Sequence, residues 1–166
     1  MEALINKLYE TGLVEGQSGQ FHKLHSAIDR EEGAFVQSII RDDPTIRNTL
    51  EVGCAYGLSS LHICSAIHGR PGASHTIIDP FQNTDWDGAG IRNLKTAGIE
   101  FFDLIEVKSE FALPHMLEKA EGQFDLVFID GWHTFDHTLL DCFYATRAAS
   151  GIVCPRLSEF GWPVVG

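Results

Sequence analysis

The sequence is short of cations. Its 166 residues carry 12 Lys and Arg against 23 Asp and Glu, a formal net charge of −11, and no run of basic residues occurs anywhere. A phosphate backbone is bound by grouped lysines and arginines, so no nucleic-acid partner is expected. It also has no uninterrupted apolar run of membrane-spanning length, and Met1–Lys7 is not a basic region leading into an apolar one. No membrane partner is expected, and a reducing cytoplasm is the expected location. The four cysteines, Cys54, Cys64, Cys142 and Cys154, form no C-x-x-C pair, which excludes a zinc knuckle and a dithiol redox motif and leaves them as buried thiols. Internal repeats and low-complexity tracts are absent. Apolar residues are plentiful at 44%, enough at this length for one domain with a core. Its expected parts are a helical lid or packing region over 1–44, an α/β core over 45–154 and an irregular tail over 155–166.

The core is organised around Thr49–Ser60. Leu50 and Val52 read as a buried strand, Gly53 as the turn, and Gly57 as the residue that lets a following helix sit close. The dinucleotide fingerprint G-x-G-x-x-G needs a central glycine so that backbone can approach a pyrophosphate. That glycine is missing here. The pattern is E-x-G-x-x-x-G, and Glu51 at the strand end would repel a diphosphate and suit a cationic ligand.

The rest of the chain repeats the strand-then-helix rhythm. In the N-terminal region a short helix from about Ala3 is expected to end near Gly12, and Gly16–Gly19 reads as a flexible connection. Asp29 and Glu32 fit a capping box for a helix with an apolar face of Phe35, Val36, Ile39 and Ile40. His75–Ile78 is a second core strand ending in Asp79, about 20 residues past the glycine turn, where an acid can accept from ribose hydroxyls. Phe101–Val107 is a third, followed by Ser109 and Glu110. Phe124–Ile129 is the most apolar and ends in Asp130, with Trp132 and His133 in the turn. Thr134 would cap a helix whose Phe135, Leu139, Leu140 and Phe143 face the core, and Gly151–Cys154 is a fifth strand. The alternation predicts a Rossmann-like, doubly wound, mostly parallel α/β sheet of about five strands. Right-handed crossovers then bring Glu51, Asp79, Ser109 and Asp130 to one edge.

These motifs resemble the class I S-adenosylmethionine-dependent methyltransferases. The similarity runs from about Asp29 to Val153 and is nearest to small-molecule O-methyltransferases of the catechol type, above all bacterial relatives with I-D-P-F and F-I-D-G-x-H. The resemblance implies S-adenosylmethionine as cofactor, with Glu51, Gly53, Gly57 and Ser59 around its methionine end and Asp79 on the ribose. Ser109 and Glu110 would lie by the adenine, and Trp132 would stack near it. It further implies His133 as the base that takes the acceptor's proton, or Mg²⁺ on Asp130 as a Lewis acid at the acceptor oxygen. His137, one helical turn from His133, is either a solvated helix residue or a further metal ligand.

Relatives of this kind continue with a sixth and a seventh strand, whereas this chain ends soon after Val153. Those terminal strands are expected to be missing, with a homodimer forming through the exposed sheet edge. Three functions stay open: methyl transfer to a hydroxyl of a small molecule, a cofactor-binding remnant without turnover, and a nicotinamide-dependent oxidoreductase.

Overall fold

The computed structural model describes residues 1–119, 121–132 and 134–156. Helix α1, Glu2–Thr11, buries Ile5 and Leu8 and ends at Gly12, whose left-handed φ of +61° lets its N–H return to Leu8 O. Strands β1 (Leu13–Glu15) and β2 (Phe21–Lys23) form an antiparallel hairpin. The Gly16–Gly19 segment is therefore the turn of that hairpin, closed by Gly16 N–H to Gln20 O at 2.8 Å, and not a flexible connection. Helix α2, Arg30–Asp42, begins with the expected capping box. Asp29 accepts from Glu32 N–H, and Glu32 accepts in return from Asp29 N–H. Val36 and Ile40 are buried, but Phe35 is exposed.

From Asn48 the chain alternates strand and helix: β3 (Asn48–Val52), α3 (Leu58–Ile67), β4 (Ser74–Ile78), α4 (Ala89–Thr96), β5 (Phe102–Ile105), α5 (Ser109–Leu117), β6 (Phe124–Ile129), α6 (Phe135–Ala148) and β7 (Ala149–Pro155). The five core strands are all parallel in the order β5-β4-β3-β6-β7. The chain builds outward from β3 to β5, then returns to β6 on the other side of β3. The switch point lies between β3 and β6, where a doubly wound sheet opens a crevice at its carboxyl edge.

Strand alternation divides the core in two. Leu126 and Phe128 pack with α1 to α4 on one face, while Leu50, Val52, Val127 and Ile129 pack with α5 and α6 on the other. The residues between Leu50 and Val52 and beside them, Thr49 and Glu51, thus point toward the α3 side.

Helix α6 departs from its expected orientation. It buries Asp141, Ala145 and Ala148, leaving Phe135, Leu139 and Phe143 exposed. The helix ends at Ala148 and β7 begins at Ala149, so no linker residue separates them. The entry of the chain into the strand sets the helix's rotation, and the small residues are the ones that approach the sheet.

Candidate functional site

The turn after β3 is shaped by close backbone approach. Gly53 has φ +86°, and a β-carbon there would lie 2.3 Å from the main-chain oxygen of Asp130 across the switch point. No other residue type fits that position. Gly57, the N-cap of α3 at φ +79°, meets α4 in the same way, its β-carbon position being 2.9 Å from Gly90 Cα.

Asp79 holds this turn in place. Its Oδ2 accepts from the N–H groups of Cys54 (3.0 Å) and Ala55 (2.9 Å) and from Gln82 Nε2 (2.9 Å), and its Oδ1 accepts from Phe81 N–H at 2.9 Å. Ala55 has the left-handed φ of +46°, a cost for a residue with a β-carbon that these bonds offset.

Glu51 lies on the other side of the strand. It is fully buried, accepts from Ser60 Oγ in α3, and has His75 Nε2 at 3.2 Å; His75 Nδ1 meets Thr49 Oγ1 at 2.9 Å. Glu51 Oε1 has no hydrogen-bond partner among the described residues. A carboxylate so placed braces the β3–α3 turn from behind.

In front of the turn, at the carboxyl ends of the strands, is a cavity of about 580 Å³. Gly53 and Ala55 form its floor, with Asp79, Phe81, Asp85 and Trp86 after β4. Lys108, Ser109 and Glu110 line it after β5, and Asp130, Trp132, Thr134 and His137 after β6. Trp132 lies 5.6 Å from Phe81 between ring centroids and is stacked on His137 at 5.8 Å. His137 Nδ1 contacts Thr134 Oγ1 at 2.7 Å, while its Nε2 faces Glu110 at 3.8 Å. Trp86 is backed by Tyr56 and His25, and Tyr56 Oη meets His25 Nδ1 at 2.9 Å.

Of the residues expected at the site, Gly53, Asp79, Ser109, Glu110, Asp130 and Trp132 line the cavity. Glu51, Gly57 and Ser59 do not, because strand alternation and the first turn of α3 turn them into the core. His133 lies outside the described residues. Sequence reasoning passed over Phe81 and Lys108, and it placed His137 in solvent or on a metal, whereas it stacks on Trp132. The i, i+3 spacing of Thr134 and His137 signals only the contact between those two, at the start of α6.

Mg²⁺ on Asp130 is the alternative to His133 that the resemblance implies. Burial pushes the Asp130 carboxyl up to about 7, against the opposing pull of Arg156. Arg156 Nη1 donates to both carboxylate oxygens of Asp130, at 3.2 and 3.3 Å, and among the described residues no group of three His, Cys, Asp or Glu is placed to hold a metal ion. With that guanidinium in position, the described donors do not fit a divalent ion.

Residues 50–151 match the family model for a methyltransferase domain. The chain belongs to that methyltransferase family. No protein of curated function matches the sequence. Among solved structures, this chain is similar to the O-methyltransferase from Bacillus cereus in complex with S-adenosylhomocysteine, at 14% identity and TM-score 0.69, over 89% of this chain and 61% of that one. It is also similar to the O-methyltransferase TomG from Streptomyces achromogenes in complex with S-adenosylmethionine, at 20% identity and TM-score 0.64, over 77% and 56%. A third is the methyltransferase PaMTH1 from Podospora anserina, bound to S-adenosylhomocysteine, at 21% identity and TM-score 0.64, over 90% and 60%. At these identities the likeness establishes a shared fold. This chain spans 56 to 61% of the length of the three.

Proposed function

We propose that this chain binds S-adenosylmethionine in the cavity and transfers its methyl group to a hydroxyl of a small molecule. The observation that carries the reading is the charge of the cavity wall. Among the described residues, Asp79, Asp85, Glu110 and Asp130, the last already paired with Arg156, line it against a single lysine, Lys108. A sulfonium and an ammonium suit such a wall, and the diphosphate of a nicotinamide dinucleotide does not. When bound, S-adenosylmethionine supplies an electrophilic methyl carbon.

The residues have distinct tasks. Trp132 and Phe81 offer aromatic faces to the adenine, with Ser109 and Glu110 at its polar edge. Asp79, whose Oδ1 accepts one bond among the described residues, keeps a lone pair for a ribose hydroxyl. Bare backbone at Gly53 admits the methionine end, and Asp130 faces its ammonium. Glu51, Gly57 and Ser59 support the turn from behind. His133, whose chain neighbours Trp132 and Thr134 line the cavity, takes the proton from the acceptor hydroxyl as it attacks. Fixing acceptor and methyl in line is the larger part of the catalysis.

Calorimetric titration with S-adenosylhomocysteine, followed by a screen of hydroxylated small molecules for uptake of labelled methyl, tests the reading. Saturable binding and label transfer are expected. Folded protein that takes no S-adenosylhomocysteine would sink it, and a thermal shift with NAD alone would point to an oxidoreductase. Binding without transfer to any acceptor would favour a remnant without turnover.

The chain is read as one unit in which 1–44 packs over the 45–154 core, working without nucleic-acid or membrane partners; no described helix is long and apolar enough to cross a membrane. Four unpaired cysteines support a reducing compartment, the cytoplasm. The outer edge of β7, unpaired among the described residues, is where a second copy would add its own strand.

A further inference from the structure

Behind Asp130, two carboxylates and a carbonyl from separate elements converge on one point. Asp130 comes from the end of β6, Glu32 from the first turn of α2, and Ala27 O from the segment before that helix. Oxygen donors gathered in this way are what Mg²⁺ recognises. Here the point is filled by the guanidinium of Arg156, which follows β7 directly. Nη1 takes both oxygens of Asp130. Nε donates to Glu32 Oε1 at 3.3 Å, Nη2 lies 3.2 Å from Glu32 Oε2, and Nη2 donates to Ala27 O at 3.2 Å. The side chain is only 17% exposed, and Arg156 N–H is itself fixed by Ile129 O at 2.9 Å.

We propose that Arg156 is the resident cation of this site, standing where a divalent metal would otherwise sit, so that the chain holds Asp130 in position without a metal. A guanidinium has a rigid fork that satisfies two carboxylates at once and cannot be titrated away near neutral pH. It is a positioning residue: it fixes the Asp130 carboxylate at the cavity wall and ties the segment before α2, whose Ser26 also lines the cavity, to the end of the sheet. Removing it takes the positive charge from between Asp130 and Glu32, an arrangement that calls for a replacement cation.

The inference rests on the methyltransferase reading for its place in the reaction, but its test does not. Mn²⁺ is titrated into the intact wild-type chain by calorimetry and electron paramagnetic resonance, and no saturable binding is expected. The Arg156→Ala variant should gain Mn²⁺ affinity by about tenfold or more, and Asp130→Asn on that background should remove the gain. Arg156→Lys, which keeps the charge, should bind no Mn²⁺, and Arg156→Gln, which removes the charge while keeping a long polar side chain, takes the place of Arg156→Ala if that variant does not fold. Affinity of the wild type for S-adenosylhomocysteine should be the same in chelator as in Mg²⁺. Saturable wild-type Mn²⁺ binding that Asp130→Asn abolishes would overturn the proposal, and so would a folded Arg156→Ala variant that takes no metal. Failure to bind S-adenosylhomocysteine at all would instead count against the methyltransferase reading alone.

Discussion

Asp79 Oδ2 accepts the N–H of Ala55, a non-glycine residue at φ +46°, from the end of the neighbouring strand. The cofactor turn is therefore held open by an acid that lies far from it in sequence. In Asp79→Ala the N–H groups of Cys54 and Ala55 lose their acceptor, at roughly 1–3 kcal/mol for each buried group left unpaired. Urea denaturation should show the loss of stability, and calorimetry should show a larger loss of S-adenosylhomocysteine affinity than deletion of one ribose contact explains. A variant as stable as wild type would mean that the turn holds itself.

Trp132 offers its face beside Phe81 while remaining 55% exposed. Stacking of a base on an aromatic ring contributes about 1–3 kcal/mol, so Trp132→Ala should weaken S-adenosylhomocysteine binding by about tenfold or more, while Trp132→Phe recovers much of it. Because the ring is half in solvent, the melting temperature should barely move. Equal affinity in the Ala variant would take Trp132 out of the site.

His62 predicts an acid-sensitive fold. It is buried among α1, α2 and α3, its Nε2 3.2 Å from Tyr9 Oη, and burial lowers its pKa below 6.5. The unfolded chain takes up a proton near 6.5 while the folded one does not. This contribution is thus fully present above 6.5 and is lost as pH falls through the folded value. Comparing wild type with His62→Gln by urea denaturation at about pH 8 and about pH 5 isolates it, and the variant should lose less stability on acidification. Parallel losses in both proteins would remove His62 as a cause.

The rotation of α6 is open to a paired test. Leu139→Ser should change stability by no more than about 0.5 kcal/mol, since Leu139 is exposed. Ala145→Leu, at a fully buried position, should cost about 1–3 kcal/mol through overpacking. Thermal or urea unfolding giving the reverse order would restore the helix face expected from periodicity.

Much of this was legible in the linear sequence because local chemistry determined it. Apolar runs ending in Val52, Ile78 and Ile129 specify parallel strands, the Asp29–Glu32 capping box starts a helix, and the acids that follow those strands reach one edge by the handedness of the crossovers. Tertiary structure alone decided which way side chains turn. Glu51 lies inside β3, level with Phe128, whereas Asp130 follows the last residue of β6, so that the strand's register sends Glu51 under α3 to Ser60 and His75. Phe135, Leu139 and Phe143 repeat with helical period, yet the direct join of α6 to β7 rotates them outward. Arg156 gives no local signal of its role, because Glu32, Ala27 and Asp130 meet it only when the start of α2 packs against the carboxyl end of the sheet. Periodicity and capping act between near neighbours, whereas the turn of a strand face, the rotation of a helix and the meeting of distant charges are settled by packing.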